Sequence, residues 1–355
     1  MPAPDRLVLA RPDDWHAHLR DGAMMAAVLP ASARVFGRVI VMPNLVPPVT
    51  TAQVAADYRR RILQALGDAE AERAFVPLMT CYLTDTTDPA ALAQGFADGV
   101  FAAAKLYPAG ATTNSASGVT DISKLERVFA KMEEIGMPLL VHGEVTDPAI
   151  DVFDREAVFI ERVLAPLRRR FHHLKCVFEH VTTREAIDFV RADNAGGHGH
   201  MAATITPHHL MLSRSDLFQG GLRPHLYCLP VAKRAEHRRA LRQAATSGEP
   251  YFFLGTDTAP HPVHRKEAEC CAAGIFCAPA AIELYAQVFE EEGALDKLEG
   301  FASRFGPRFY GMSENEDTIT LVRDPWTVPG ALAVEGGEKV RPFMAGETLN
   351  WKVQD

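Results

Sequence analysis

The chain has 355 residues, of which 47% are hydrophobic and 23% charged, and its formal net charge is −8. This composition is typical of a globular protein with a large apolar core and excludes an intrinsically disordered chain. The negative charge, without any block of Lys and Arg, argues against nucleic acid or an anionic membrane as the main partner.

The cysteines and the N-terminus indicate the compartment. The six cysteines form no C-x-x-C pair and no disulfide framework, so zinc binding through thiolates is not expected. The N-terminus lacks a charged segment followed by an apolar one, and no run approaches the roughly 20 apolar residues of a membrane span. The sequence therefore predicts a reduced, cytoplasmic protein.

Short apolar or β-branched runs predict the strands, and amphipathic stretches between them predict helices. Strands that alternate with helices pair in parallel, and eight such units favour a (β/α)8 TIM barrel over an open doubly wound sheet. No G-x-G-x-x-G motif follows the first run, which disfavours a dinucleotide site. The predicted strands are residues 7–9, 39–42, 75–79, 100–105, 138–142, 174–180, 201–205 and 251–257, and the predicted helices are residues 51–66, 89–98, 122–135, 153–167, 184–191 and 233–245.

The pattern changes from about residue 293, where glycines and prolines interrupt short β-like pieces. We expect this C-terminal extension, about residues 293–355, to pack against the barrel and finish it. Residues 1–355 are therefore predicted to form one barrel domain.

The first candidate ligands are His16 and His18, which follow the first predicted strand. Because side chains alternate along a strand, two histidines two residues apart share a face, and Arg20 continues that face. Two imidazoles on one face are what metal capture requires, so we favour a ligand pair over two core histidines.

Lys105 ends the apolar segment 100–105. A desolvated ammonium group costs several kcal/mol unless it is paired or neutralised. Two interpretations stay open: a lysine whose head extends to solvent from the strand end, and a lysine whose lowered pKa alters its chemistry.

Three more polar residues end apolar runs. His142 and His180 close strands in consecutive βα units, and Asp257 ends the last run. A carboxylate there can bind a metal and exchange a proton. Because the carboxyl ends of barrel strands meet at one edge, we expect a two-metal hydrolase site formed by His16, His18, Lys105, His142, His180 and Asp257. The other histidines are expected on the surface or in hydrogen bonds around the site: His172, His173, His198, His200, His208, His209, His225, His237 and His264.

Seven motifs together point to one family. They are H-A-H-L-R at 16–20, V-M-P-N at 41–44, K-L-Y-P-A-G-A-T-T-N at 105–114, V-H-G-E at 141–144, F-E-H at 178–180, R-P-H-L-Y-C-L-P at 223–230 and G-T-D-T-A-P-H at 255–261. In these motifs the chain resembles the dihydroorotases of the single-function bacterial type, within the amidohydrolase superfamily. The resemblance extends from about residue 7 to residue 310.

The resemblance implies a cofactor and a reaction. Carbon dioxide would carboxylate Lys105, and the resulting carbamate would bridge two Zn²⁺ ions that leave room for a bridging hydroxide. His16, His18 and Asp257 would bind one ion, and His142 and His180 the other. The reaction would be the reversible cyclisation of N-carbamoyl-L-aspartate to L-dihydroorotate in de novo pyrimidine biosynthesis, with Asp257 as the catalytic proton carrier.

The resemblance also implies substrate contacts and a homodimer. The substrate carboxylate would meet cations and donors, the ring amide would meet backbone groups, and the loop 109–117 would close over the site and exclude water. The residues implied are Arg20, Asn44 and His261 for the carboxylate, Leu229, Ala273 and Gly274 for the ring amide, and Thr112 and Thr113 in the loop.

Two alternatives differ from this interpretation. A hydantoinase or allantoinase would share the metal site, although the carboxylate-binding trio and the two loop threonines favour dihydroorotate. A non-catalytic scaffold subunit of a pyrimidine-pathway complex would be expected to lose metal ligands, whereas this chain has all six.

Overall fold

A computed structural model describes residues 5–71, 75–197 and 199–354. Its strands are β1 (Arg6–Ala10), β2 (Asp14–Ala17), β3 (Arg38–Val41), β4 (Val76–Tyr82), β5 (Ala103–Leu106), β6 (Leu139–Val141), β7 (Cys176–Phe178), β8 (Met201–Ile205), β9 (Phe252–Leu254), β10 (Thr318–Thr327), β11 (Leu332–Val334), β12 (Glu338–Val340) and β13 (Thr348–Val353). Its α-helices are α1 (Gly22–Ala33), α2 (Ala52–Ala71), α3 (Pro89–Ala97), α4 (Glu126–Ile135), α5 (Arg155–Phe159), α6 (Ala165–Arg170), α7 (Arg184–Ala195), α8 (Pro207–Met211), α9 (Ala235–Ala245), α10 (Val263–Lys266), α11 (Ala281–Glu291) and α12 (Phe305–Tyr310).

Shorter helical turns connect several of these elements. The 3-10 turns are Ile122–Leu125, Arg214–Phe218, Pro224–Leu226, Ala278–Ala280 and Leu295–Lys297, and the π-helical turns are Ile160–Leu164 and Gly300–Arg304. None of the helices in the described part of the chain has the length and apolar content that a membrane span needs. All six cysteines are free thiols.

Strands β2 to β9 form one parallel sheet in chain order. The sheet closes because the chain beyond β9 pairs with β2. Asp257 N donates to His16 O at 2.8 Å, and His18 N donates to Thr258 O at 3.0 Å. The predicted (β/α)8 barrel is therefore confirmed, and the carboxyl ends of its strands open at one edge.

The expectation that residues 7–9 form the first barrel strand is wrong. They lie in β1, which pairs antiparallel with β10 in a separate sheet of order β1-β10-β13. The first barrel strand is β2, whose sequence Asp-Trp-His-Ala contains His16 itself. The apolar pattern misses β2 because its inward polar side chains are stabilised by hydrogen bonds: Asp14 accepts from Thr256 Oγ1 at 2.5 Å and from Thr256 N at 2.8 Å.

The C-terminal extension packs against the barrel as expected, but its strands lie outside the barrel sheet. Its strands β10 and β13 pair with each other and with the N-terminal β1. The same extension contains α12, which packs against an apolar layer inside the barrel. Ala103 and Leu140 of that layer lie two residues before Lys105 and His142, so the layer lies directly beneath the predicted ligands.

Trp15 joins β2 to α12. Its ring stacks on Tyr310 with centroids 4.4 Å apart and meets Phe253 edge to face at 6.2 Å. Gly306 of α12 allows this approach, because a Cβ atom there would lie 1.9 Å from Trp15 Nε1. The floor of the site therefore depends on a glycine in the extension.

We predict that Gly306→Ala destabilises the protein by about 1–3 kcal/mol, because the added methyl group overpacks the contact with Trp15. Urea denaturation followed by tryptophan fluorescence measures this change. Gly330→Ala is the matched control, because a Cβ atom at Gly330 meets no heavy atom within 4 Å. Equal stability of the two variants would contradict the proposed packing role of Gly306.

Candidate metal centre and substrate cavity

The residues predicted as metal ligands lie together at the carboxyl ends of the barrel strands. Each is at most 8% exposed, so the site is buried. They are His16 in β2 and His18 just after it, Lys105 in β5, His142 after β6, His180 after β7 and Asp257 after β9.

Three of these side chains converge on one point. The Nε2 atoms of His16 and His18 are 3.3 Å apart, and Asp257 Oδ1 lies 3.2 Å from the first and 3.1 Å from the second. Ligand bonds of about 2.0–2.2 Å at tetrahedral angles place neighbouring ligand atoms about 3.3–3.6 Å apart. The three atoms therefore fit a divalent metal ion with a small expansion.

The ring of His180 continues this cluster. Its centroid lies 4.9 Å from that of His16 and 4.9 Å from that of His142. Among the described residues, His180 Nδ1 is buried without a hydrogen-bond partner. A buried nitrogen of this kind costs free energy unless a ligand or water satisfies it. The predicted ligand pair of His142 and His180 therefore also includes a nitrogen atom that is free to bind a metal.

Polar side chains hold the outer nitrogens of two histidines. His18 Nδ1 donates to Asn44 Oδ1 at 2.8 Å, which leaves the lone pair of Nε2 facing the cluster. His142 Nε2 lies 3.0 Å from Glu144 Oε2, which leaves Nδ1 as the nitrogen that can bind a metal. Such partners fix the ring and tautomer of a metal-binding histidine. Glu144 was not among the predicted site residues, although it is part of the V-H-G-E motif.

Glu179 is a second carboxylate that the sequence analysis missed. It is fully buried and forms an ion pair with Lys105 Nζ. Its other oxygen lies 2.9 Å from His16 Nδ1, close enough for an ion pair but without the alignment of a hydrogen bond. The available signal was its place in F-E-H, one residue before His180 and at the end of a strand.

These carboxylates set the protonation of the cluster. Burial lowers the pKa of His16, but Glu179 and Asp257 outweigh burial and raise that pKa to about 9. Burial lowers the pKa of His18 to about 4. Burial also lowers the pKa of Lys105, against the opposing effect of Glu179. A metal ion binds only a deprotonated imidazole nitrogen, so binding at His16 displaces a proton.

At Asp257 the neighbouring histidines shift the pKa downward. Burial alone would raise its pKa, but the charge of His16 and hydrogen bonds from His16 and His18 hold the pKa well below its usual value. Asp257 is therefore an anion across the physiological pH range, and an anionic carboxylate can bind a metal ion and accept a proton.

A cavity opens above the cluster. The predicted loop 109–117 lies across it, because Asn44 Nδ2 donates to Thr113 O at 3.0 Å and Thr113 Oγ1 donates to Ala273 O at 3.2 Å. The lining residues are His16, His18, Arg20, Asn44, Tyr107, Thr112, Thr113, His142, His180, Leu229, Asp257, Ala259, Ala273 and Gly274.

Arg20 and His261 lie side by side in this region. Arg20 Nη2 lies 3.1 Å from His261 Nε2, and His261 Nε2 lies 2.9 Å from Ala273 O. Burial, and then the charge of Arg20, lower the pKa of His261 to about 3, so its ring is neutral. Arg20 is therefore the fixed positive charge at the cavity wall.

The backbone is strained at three of these residues. Arg20, His180 and Asp257 have φ angles of 62°, 43° and 45°, in the left-handed region that non-glycine residues rarely adopt. Strain of this kind is concentrated at functional sites.

A second group of residues that could bind a metal lies beside the site. Among the described residues, His208, His209 and Cys228 have donor atoms close enough to hold a metal. His209 already uses both ring nitrogens, at 2.8 Å from Thr206 Oγ1 and 3.0 Å from Pro230 O. Whether His208 and His209 bind a metal is not tested, so their place outside the metal site stays a prediction. His198 lies outside the described residues.

Comparisons with known proteins agree with this geometry. The amidohydrolase family model matches residues 13–328. The dihydroorotase of Synechococcus sp. (strain RCC307) is 60% identical over 354 residues, covering 100% of this chain and 99% of that protein. The dihydroorotase of Saccharomyces cerevisiae in complex with 5-fluoroorotic acid has a TM-score of 0.91 and 34% identity, covering 99% of both chains. The dihydroorotase of Campylobacter jejuni has a TM-score of 0.89 and 35% identity, covering 100% of this chain and 99% of that one. The chain therefore belongs to the amidohydrolase family and, within it, to the dihydroorotases.

Proposed function

We propose that the chain catalyses the reversible cyclisation of N-carbamoyl-L-aspartate to L-dihydroorotate, a step of pyrimidine biosynthesis. The observation that carries the proposal is the convergence of His16, His18 and Asp257 beside a fully buried Lys105, at the base of a cavity with a fixed positive charge. The identity to dihydroorotases over the whole chain supports the same substrate.

The metal centre that we propose holds two zinc ions. His16, His18 and Asp257 would bind one ion, His142 and His180 the other, and a carboxylated Lys105 would bridge them. Two bound divalent ions lower the pKa of a water molecule between them and polarise a carbonyl group.

The environment of Lys105 supports its carboxylation. Burial lowers the pKa of this lysine, and the neutral amine is the form that adds to carbon dioxide. Carboxylation would replace a buried cation by an anion among histidines, which suits a site that holds divalent cations.

The substrate would be oriented by groups on opposite walls. Arg20 would pair with the substrate carboxylate, and His261 and Asn44 would assist it. Backbone groups of Leu229, Ala273 and Gly274 would bind the ring amide. The amide of Asn44 is already bonded to His18 and to the loop 109–117, so Asn44 would also link loop closure to the first pair of ligands.

Asp257 would move the proton in either direction. In hydrolysis one water molecule adds across the ring amide bond: its oxygen bonds to the carbonyl carbon, the carbon–nitrogen bond breaks, and the nitrogen gains a proton. Asp257 Oδ1 lies among the ligands, so it can accept the proton of the water and deliver it to the leaving nitrogen.

The alternative functions are less well supported. A hydantoinase or allantoinase has no need of Arg20 and His261 beside the loop threonines. A scaffold subunit has no need of six intact ligand positions. Residues 1–355 as one domain, a cytoplasmic location and a homodimer stay predictions that rest on the sequence and on the family resemblance.

The decisive experiment is an ultraviolet assay of L-dihydroorotate hydrolysis by the purified protein. We predict that turnover disappears after a chelator removes the metal and returns with added zinc, because the ions activate the water. Hydantoin and allantoin serve as control substrates. Turnover of either control but not of dihydroorotate would move the chain to another cyclic-amide activity, and no turnover of any substrate would favour the scaffold alternative.

We predict that Lys105→Ala lowers both bound metal and turnover, the latter by about a hundredfold or more, because the bridge between the ions is lost. Short carboxylic acids should restore part of the turnover by replacing the carbamate. Lys233→Ala is the matched control, since Lys233 is also buried but donates to Val231 O. Full activity of Lys105→Ala without added acid would disprove the carbamate assignment.

We predict that Thr112→Ala combined with Thr113→Ala lowers kcat/KM by roughly tenfold to a hundredfold, because two donors to a charged substrate are lost. Thermal unfolding should change little, since both residues lie in a loop at the cavity. Ser117→Ala, an exposed change in the same loop, serves as the control. An unchanged kcat/KM in the double variant would leave the loop without a role in substrate binding.

A further inference from the structure

Lys266, the last residue of α10, is a buried cation that the mechanism above does not use. It is 3% exposed. Its ammonium group donates to three backbone carbonyls: Tyr227 O at 2.7 Å, Ala272 O at 2.9 Å and Gly274 O at 2.8 Å. A lysine ammonium has three N–H donors, so each carbonyl receives one of them.

These carbonyls belong to two segments that form one wall of the cavity. Tyr227 lies two residues before Leu229, and Ala272 and Gly274 flank Ala273. Gly274 N also donates to Tyr227 O at 3.1 Å. The backbone groups proposed to hold the ring amide therefore lie on the two segments that Lys266 joins.

At Gly274 the second segment has no side chain that could pack against a neighbour. Gly274 has a φ angle of 149°, and a Cβ atom there would lie 2.6 Å from Ala259 O. Glycine is thus required at this position, and glycine contributes no side-chain contact that would hold the loop. Hydrogen bonds hold this segment instead. Thr113 Oγ1 and His261 Nε2 contact Ala273 O, and Lys266 holds the carbonyls on either side of it.

We propose that Lys266 is a positioning residue for the substrate: its ammonium group holds the segments 227–229 and 272–274 at the spacing that the ring amide requires. This inference rests on the proposed function, because that function assigns Leu229, Ala273 and Gly274 to the substrate. Lys266 acts through the backbone and does not touch the substrate.

The cation should lose its effect at alkaline pH. Burial lowers the pKa of Lys266 to about 8. The neutral amine has two N–H donors for three carbonyls, so the constraint is complete below this pH and weakens above it. Burial raises the pKa of the neighbouring thiols and phenol and lowers that of the neighbouring histidines, so these groups stay neutral near pH 8: Cys228, Cys271, Tyr227, His208 and His261. The chain neighbours Arg265 and Glu267 are exposed.

The kinetic test compares Lys266→Met with Lys233→Met in the metal-loaded enzyme. Removing charged donors from buried carbonyls should raise KM for L-dihydroorotate by about tenfold, with bound metal unchanged and kcat altered much less. Lys233 is equally buried but donates to one carbonyl, Val231 O at 2.8 Å, so KM of its variant should stay near the wild-type value. In the wild-type enzyme KM should rise above pH 8, and in Lys266→Met this rise should be absent. An unchanged KM, or equal losses of kcat and metal in both lysine variants, would overturn the proposal.

Hydrogen exchange separates this proposal from the proposed function. Without substrate, the amide of Gly274 should exchange faster in Lys266→Met than in the wild type, and faster in the wild type at pH 9 than at pH 7 after correction for the intrinsic rate. A wild-type protein that does not hydrolyse dihydroorotate refutes the function, yet this measurement still tests the constraint. If Lys266→Met does not fold, the wild-type pH comparison and Lys266→Arg, which keeps the charge, replace it. Protection of Gly274 that is equal at both pH values in the wild type and unchanged in Lys266→Met would overturn the proposal.

Discussion

The seam between β2 and the chain beyond β9 is the constraint on which the rest of the structure depends. The hydrogen bonds Asp257 N to His16 O and His18 N to Thr258 O close the barrel and, in the same step, place the side chains of His16, His18 and Asp257 beside one another. Barrel closure and the assembly of this candidate metal-binding cluster therefore depend on the same two hydrogen bonds. A change that loosens the seam alters the fold and the site together.

Charge compensation is the second requirement of the buried cluster. Isolated ions in a protein interior are unstable, so each charge needs an opposite charge or a bound metal. Glu179 pairs with Lys105 and lies against His16, while Asp257 meets His16 and His18. These contacts explain why so many ionisable side chains can be buried together at one end of the barrel.

Part of this arrangement could be predicted from the sequence. Lys105, His142, His180 and Asp257 each end an apolar run, so hydrophobic periodicity and residue type together predicted the barrel and the edge that carries the site. The strand β2 could not be found in this way, because its inward residues are polar. Glu179, Glu144 and Lys266 were missed because their roles depend on partner atoms that only folding brings near. Lys266, for example, bonds to the carbonyl of Tyr227, 39 residues away.

The left-handed backbone at Arg20, His180 and Asp257 has a consequence for the evolution of this enzyme. Conformations of this kind cost of order 1–3 kcal/mol each, and glycine would remove that cost. The most stable sequence for this fold is therefore different from the sequence that builds the site. A laboratory selection for heat resistance alone does not preserve these residues, so thermostabilised variants must be sought with the three positions held fixed.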